Sequence, residues 1–297
     1  MYTRLLTGLT TARDSDVTRA FRATDRSTAW TLVERVPLKF PAYHPQGFAL
    51  VGGLIFMSSV EVLEAPVTYP VPVDGYDRTP GKGNGHLFVM DRQGNLERDV
   101  RLGEGTAYHP GGLDFDGKDL WVPAAEYRPN SRAIVYTVDP TTYAVTERFR
   151  VKDHVGGVVR DRTTGRVHGM SWGSRTLYHW TPTGKQLGKV GNESHLLDYQ
   201  DCSYVAHGKQ LCGGVTTLPG PNNTSYDLGG LVLLDLRTNR ILHEIPFPHF
   251  SPTTNHNATR NPVALETTPT HLRLLTAPDD SQTPDLTELQ IYETALS

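Results

Sequence analysis

His109-Pro-Gly-Gly-Leu-Asp-Phe-Asp-Gly-Lys-Asp-Leu-Trp-Val122 is a short apolar segment, a turn rich in Asp and Gly, and a second apolar segment. That is how a tight antiparallel hairpin reads. Weaker copies begin at position 44 (HPQGFALVGGLIFM), 154 (HVGGVVRDRTTGRVHGM), 200 (QDCSYVAHGKQLCGG) and 261 (NPVALETTPTHLRLL). Self-similarity at this spacing means repeated supersecondary modules, here five of them. Aligning the copies brings His44, His109, His154, Gln200 and Asn261 to one equivalent position.

Outward from each hairpin, an apolar third strand and a more polar fourth strand follow across a turn. In the second module, residues 133–139 lead through Pro140-Thr-Thr to residues 145–151. The last module has a third strand at residues 289–293, and the chain stops before a fourth. An alternating segment at residues 31–39 precedes the first hairpin and is free to supply it, which closes the ring and removes its open edges. The expected fold is all-β, a five-bladed β-propeller of four-stranded antiparallel blades closed by an N-terminal strand. Residues 29–297 form one domain, and residues 1–28 are a lead-in with a weak helical pattern at 14–23.

The chain has 297 residues with 29 Lys+Arg against 32 Asp+Glu, a net charge of −3, and no basic block stands out. Nucleic acid is therefore not an expected partner. No segment approaches the ~18 apolar residues of a membrane span, and the first ten residues are too polar for a secretory signal, so the expected chain is soluble and intracellular. Cys202 and Cys212 fall on the two strands of one hairpin. A two-residue turn at His207-Gly208 sets Cys212 opposite Ser203, and both cysteines read as buried free thiols.

Three long insertions, at residues 63–85, 217–228 and 248–260, interrupt the repeats, and strand counting places all of them at the same end of the ring as the His/Gln/Asn positions. If Asp116-Gly117 is a two-residue turn, His109 faces Ala124 and Glu126 follows on the same side; a turn at Val51-Gly52 repeats the geometry for His44 and Glu61. His44, His109 and His154 from neighbouring blades have the residue types for a divalent transition metal: zinc, iron, manganese or nickel. Glu61 and Glu126 are then candidates to move a proton. The connection after Glu126 carries Tyr127, Arg128, Asn130 and Arg132, a set suited to an anionic substrate. Tyr76 and Arg78 on the first insertion form a lid or wall, Trp172 an aromatic wall, Gln200 and Asn261 a supporting shell, and His256 a spare ligand. His168 falls on the opposite face, as a core residue. The competing reading makes the polar ring a set of ties between blades, because buried polar groups are normally satisfied by backbone.

The runs HPQGFALVGGLIFMSSVEV, GYDRTPGKGNGHLFVMD, YHPGGLDFDGKDLWVPAAEYRPNSRAIVYTVDP and HVGGVVRDRTTGRVHGMSWGSR resemble a largely uncharacterised family of bacterial and fungal β-propeller proteins. The resemblance covers residues 30–180 well and implies a propeller without an established activity. In architecture the chain is more distantly similar to gluconolactonase and regucalcin-like propellers, whose channel metal sits on carboxylate and amide ligands; histidines here shift the expected metal away from calcium. The leading expectation is a metal-dependent enzyme acting on a small polar substrate, carboxylate-bearing ones included, by hydrolysis, lyase or isomerase chemistry. The alternatives are a non-enzymatic propeller that binds a small molecule or protein, and a metal-free acid/base enzyme using a His/Glu pair. Neither nucleic acid nor membrane is an expected partner, and the sequence sets no oligomeric state.

Overall fold

The computed structural model describes residues 10–296. Five small antiparallel sheets follow one another around an axis as a five-bladed β-propeller. Blade 1 runs His44–Val51, Leu54–Glu64, Lys82–Met90 and Leu96–Leu102 from inside to outside. Blade 2 has an inner strand broken into His109–Pro110 and Asp114–Phe115, then Leu120–Ala125, Ala133–Val138 and Val145–Val151. Blades 3 and 4 begin at Gly157–Arg160 and Asp198–Ala206. Blade 5 takes Val263–Thr267, His271–Thr276 and Glu288–Ala295 from the C-terminal end, and Thr31–Pro37 pairs antiparallel with Glu288–Ala295 to complete it. This is the closure expected from the missing fourth strand.

Burial explains the order within a blade. Ala133–Val138 is buried at every position, whereas Val145–Val151 outside it is mostly exposed. The apolar residues pack between blades: Phe56, Leu87 and Val89 of blade 1 meet Leu120, Val122 and Ile134 of blade 2 in one cluster. Each such side chain contributes roughly 1.5–3 kcal/mol when fully buried.

The axis itself is closed midway. A Cβ on Gly47 would lie 2.7 Å from Gly112 Cα, and Gly112 pairs with Gly157 in a parallel bridge. Beside them the fully buried Asp201 carboxylate of blade 4 accepts the N–H groups of Phe48 (2.7 Å), Leu113 (3.3 Å) and Val263 (3.2 Å). One side chain thus ties the inner strands of four blades, and burial pushes its carboxyl well up against the pull of those donors.

The lead-in contains more structure than its weak pattern suggested. Helix α1, Thr10–Arg22, packs Val17 and Phe21 into the apolar cluster of blades 4 and 5. The Phe21 ring stands edge-on to His243, which donates from Nε2 to the Thr24 carbonyl at 2.8 Å. Among the described residues no helix is long and apolar enough to cross a membrane.

Three hairpins depart by one residue from the expected register, and one slip moves every side chain to the other face. In blade 4 the turn at His207-Gly208 is as expected, with Ala206 opposite Lys209, but a bulge at Val205 then sets Tyr204 opposite Gln210. Cys202 consequently faces Cys212, with Cα atoms 4.0 Å apart, and the two form a disulfide. The expected free thiols are corrected accordingly. Disulfides persist in oxidising compartments, so the cysteines lend no support to the expected intracellular location.

In blade 2 the loop is four residues long, because Asp116 Oδ1 accepts the N–H groups of Lys118 and Asp119 while Oδ2 accepts Trp121 Nε1. Phe115 therefore pairs with Leu120, two residues past Lys118, and the break in the inner strand at residues 111–113 takes one residue back, so His109 pairs with Ala125 rather than Ala124. In blade 1 the turn is Gly52-Gly53, both at positive φ, with a bulge at Gln46, so His44 pairs with Val60. Glu61 and Glu126 each stand one residue beyond the partner of their histidine, on the opposite face.

Candidate functional site

The five repeat positions lie at one end of the axis, at the starts of the inner strands or in the connections leading into them. His109 is in the middle of the imidazole trio: its ring centre is 5.9 Å from that of His44 and 6.1 Å from that of His154. His44 Nδ1 donates to Asp280 Oδ1 at 2.8 Å, and His154 Nδ1 donates to the Glu126 carbonyl at 2.8 Å. Because a carbonyl can only accept, the second bond fixes the tautomer of His154 and leaves Nε2 as its lone-pair nitrogen. His109 is 5% exposed, and neither of its ring nitrogens has a hydrogen-bond partner. Burial, with His44 and His154 adding smaller repulsions, pushes the His109 imidazole well below its usual range. Burial also lowers His154, to about 4, against the favourable bond to the Glu126 carbonyl. Both rings are neutral at pH 7, the form that ligates metals.

Asp280 is the residue that sequence reasoning missed. It takes His44 on Oδ1 together with Asn261 Nδ2 (3.0 Å), and Arg260 approaches Oδ2 at 3.4 Å. Desolvation opposes its ionisation, but His44, Arg260 and Asn261 outweigh that and hold the carboxyl down at about 2. Its only sequence signal was its place two residues past Pro278, the blade-5 counterpart of the glutamate positions.

The roof is aromatic. The Tyr127 ring lies 4.3 Å from His109 and 5.8 Å from Trp172, and Trp172 stands edge-on to His154 at 4.8 Å. Burial and the nearby Asp280 charge raise the Tyr127 phenol, which stays protonated. The first insertion reaches this group: Arg78 lies 5.3 Å from the Trp172 ring, and Arg128 stacks 3.5 Å over Tyr76.

The two carboxylates expected beside the histidines are engaged elsewhere. Glu126, 4% exposed, accepts Thr106 (2.5 Å), Arg128 Nε (2.7 Å) and Arg132 Nε (3.0 Å). Burial raises a carboxyl, yet these partners together lower it. Arg128 and Arg132 are correspondingly held by Glu126 rather than presented to the mouth. Glu61 accepts Asn84 Nδ2 at 2.6 Å and stands 3.8 Å from His86 Nε2. Gln200 donates to the Asp198 carbonyl at 3.5 Å, Asn130 is exposed at positive φ, and His256 Nδ1 meets the Pro278 carbonyl and Arg260, the guanidinium that also approaches Asp280. His168 is buried against His179, their Nδ1 atoms 2.8 Å apart, as a core residue.

As the side chains lie, no three His, Cys, Asp or Glu among the described residues stand close enough to share a metal ion. Nitrogen-to-metal distances of about 2.0–2.1 Å would draw imidazole centres to roughly 5 Å from one another. His109 stands about an ångström farther than that from each of its two neighbours, at 5.9 and 6.1 Å. In donor chemistry it fits: one imidazole is bare, and two have Nδ1 committed to a carboxylate or carbonyl, the arrangement that orients metal-ligating histidines.

A family model described as a family of unknown function, DUF6454, matches residues 10–297. No curated protein matches the chain. Among solved structures it is similar to a hypothetical protein from Leishmania major (13% identity, 95% of this chain and 94% of that one, TM-score 0.48). It is also similar to a luciferin-regenerating enzyme (10%, 88% and 94%, 0.46) and to the Neurospora crassa Pan2 WD40 domain (10%, 91% and 97%, 0.42).

Proposed function

Since the chain belongs to the DUF6454 family, which brings a fold and no assigned activity, we propose from its own residues that the histidine mouth is the centre of a metal-dependent enzyme acting on a small polar substrate. The observation that carries this reading is the bare His109 imidazole, buried between two neutral or carboxylate-paired neighbours. An unpartnered buried polar group is costly, of the order of 1–3 kcal/mol, and a ligand atom would relieve it.

His44, His109 and His154 would hold zinc, iron, manganese or nickel, with Asp280 and the Glu126 carbonyl orienting the outer two rings. When bound, the ion supplies a Lewis acid for a carbonyl or a water molecule, chemistry common to hydrolases, lyases and isomerases. Tyr127, kept protonated over His109, is the group placed to donate a proton. Glu126, locked between two guanidinium groups, is poorly placed to act as the base, and Glu61 faces His86. Trp172 and Arg78 form the wall against which a planar or carboxylate-bearing substrate would lie, and Asn261 and Gln200 supply amides around the rim.

Elemental analysis of untagged protein tests this. One equivalent of a transition metal is expected, lost in His109→Ala with the thermal midpoint of the chelated protein unchanged. Protein that neither retains nor takes up zinc, iron, manganese or nickel would refute it. The slightly open spacing of the rings favours the competing reading, a metal-free binding mouth, and the same measurement separates the two.

A further inference from the structure

The other end of the axis holds a cavity of about 600 Å³ that the repeats alone do not account for. We infer that this lower mouth is a second binding site, for one uncharged, largely apolar small molecule. It is separate from the histidine mouth because the axis is closed between them. Phe48 belongs to both features: its N–H ends on Asp201, and the residue forms part of the cavity floor. The volume falls within the roughly 300–1,000 Å³ of sites that enclose small organic ligands.

The class of ligand follows from what the walls leave free. Leu50, Phe56, Phe115, Val205 and Leu265 supply apolar surface, and Val17 extends it from α1, a segment outside the blade repeat whose Phe21 fixes it in the core. The charged wall residues are already engaged. Asp114 accepts the N–H groups of Arg160 and Tyr204, both at 3.0 Å. Both oxygens of Glu266 are held by Arg92, at 2.8 and 2.6 Å. Arg162 donates to the Phe115 carbonyl at 2.5 Å and lies over the Tyr204 ring, whose hydroxyl meets Thr163 at 2.8 Å. A charged ligand would have to compete for these groups, whereas an apolar one needs only to displace water from the wall. Ser203 adds a hydroxyl for orientation.

The test is a titration of the full chain with N-phenyl-1-naphthylamine, a neutral apolar fluorophore. Saturable, blue-shifted emission at one equivalent is expected. Ser203→Trp and Leu265→Trp, which add bulk to the walls supplied by blades 4 and 5, should each weaken binding by about tenfold or more, while His109→Ala should leave it within about twofold. The sulfonated analogue 1-anilinonaphthalene-8-sulfonate should bind several-fold more weakly. Absent or multi-site binding would overturn the site, as would binding unchanged in either tryptophan variant shown to be folded by its thermal transition. Equal binding of the sulfonate would overturn the uncharged class. Loss of metal in His109→Ala leaves these readouts untouched, so the two mouths fail or stand separately.

Discussion

The two ends of the propeller axis are made by the same inner strands and are chemically opposite. At the upper end His44, His109 and His154 present neutral or carboxylate-paired imidazoles under an aromatic roof. At the lower end the continuation of those strands presents Leu50, Phe115, Val205 and Leu265 around a cavity. The difference arises because each module starts with a polar residue at one end of its inner strand and continues into apolar positions toward the hairpin turn. What keeps the two environments apart is the Asp201 carboxylate, with Gly47, Gly112 and Gly157 packed around it.

The largest effect is therefore expected from the partition. Asp201→Ala leaves the N–H groups of Phe48, Leu113 and Val263 buried without an acceptor. At roughly 1–3 kcal/mol per unsatisfied group, partly relieved by relaxation, the loss should be about 3–5 kcal/mol in a urea denaturation series. Metal retention above and fluorophore binding below should both decline. Asp201→Asn, which keeps one acceptor oxygen, should lose about half as much. A loss under about 1 kcal/mol in the alanine variant would mean that the glycine packing alone divides the axis.

That partition also marks how far the sequence was legible. The hairpin repeat and the missing fourth strand were enough to give five blades and their closure, because period-2 patterning and turn residues are local signals. The shared end for His44, His109 and His154 followed from counting strands. What failed was the side-chain partnering, and it failed in three places for one reason. In blades 1 and 2 the turn displaces the pairing by two residues and an irregularity at Gln46 or at residues 111–113 takes one back, while in blade 4 the bulge at Val205 shifts it by one, so each histidine or cysteine ends one residue from its expected partner. Those shifts turn Glu61 and Glu126 away from their histidines and bring Cys202 onto Cys212. Bulges have weak sequence signatures, since the extra residue needs only a permissive backbone. Asp201 escaped notice for a different reason: its donors come from blades 1, 2 and 5, contacts that no local pattern encodes.

Acid should act on the upper end through its imidazoles. His154 is held at about 4, below its ordinary 6.5, so folded protein resists the proton that unfolded chain accepts. The stability owed to its neutral form is fully present above pH 6.5 and is lost as pH falls from 6.5 toward 4, by about 2–3 kcal/mol. His154→Gln should flatten the pH dependence of urea stability across that window. Metal should be released over the same interval, because protons compete for the imidazoles, while fluorophore affinity below should follow a separate curve set by Asp114 of the cavity wall, whose carboxyl burial pushes up to about 6. If both mouths lose their ligands along one pH curve, a global transition rather than the histidine end is titrating.

The smallest effect sharpens the contrast within the upper end itself. Glu126 is nearly isosteric with Gln, and Glu126→Gln keeps an acceptor for Thr106 while removing the charge that binds Arg128 and Arg132. Arg132 is half exposed and its pairing is screened, so most of the cost falls on the more buried Arg128, about 1 kcal/mol or slightly more. The Glu126 carbonyl, which orients His154, is unchanged by the substitution. Metal content should therefore match that of the unmodified protein, and the loss should appear only in thermal or urea stability. Asp280→Asn should differ in the metal readout: it removes the charged acceptor that fixes His44, so metal retention should fall, together with part of the stability that the lowered Asp280 carboxyl represents. If Glu126→Gln strips the metal and Asp280→Asn does not, the carboxylate serving the trio is Glu126, and the one-residue slip in blade 2 does not carry the meaning given to it here.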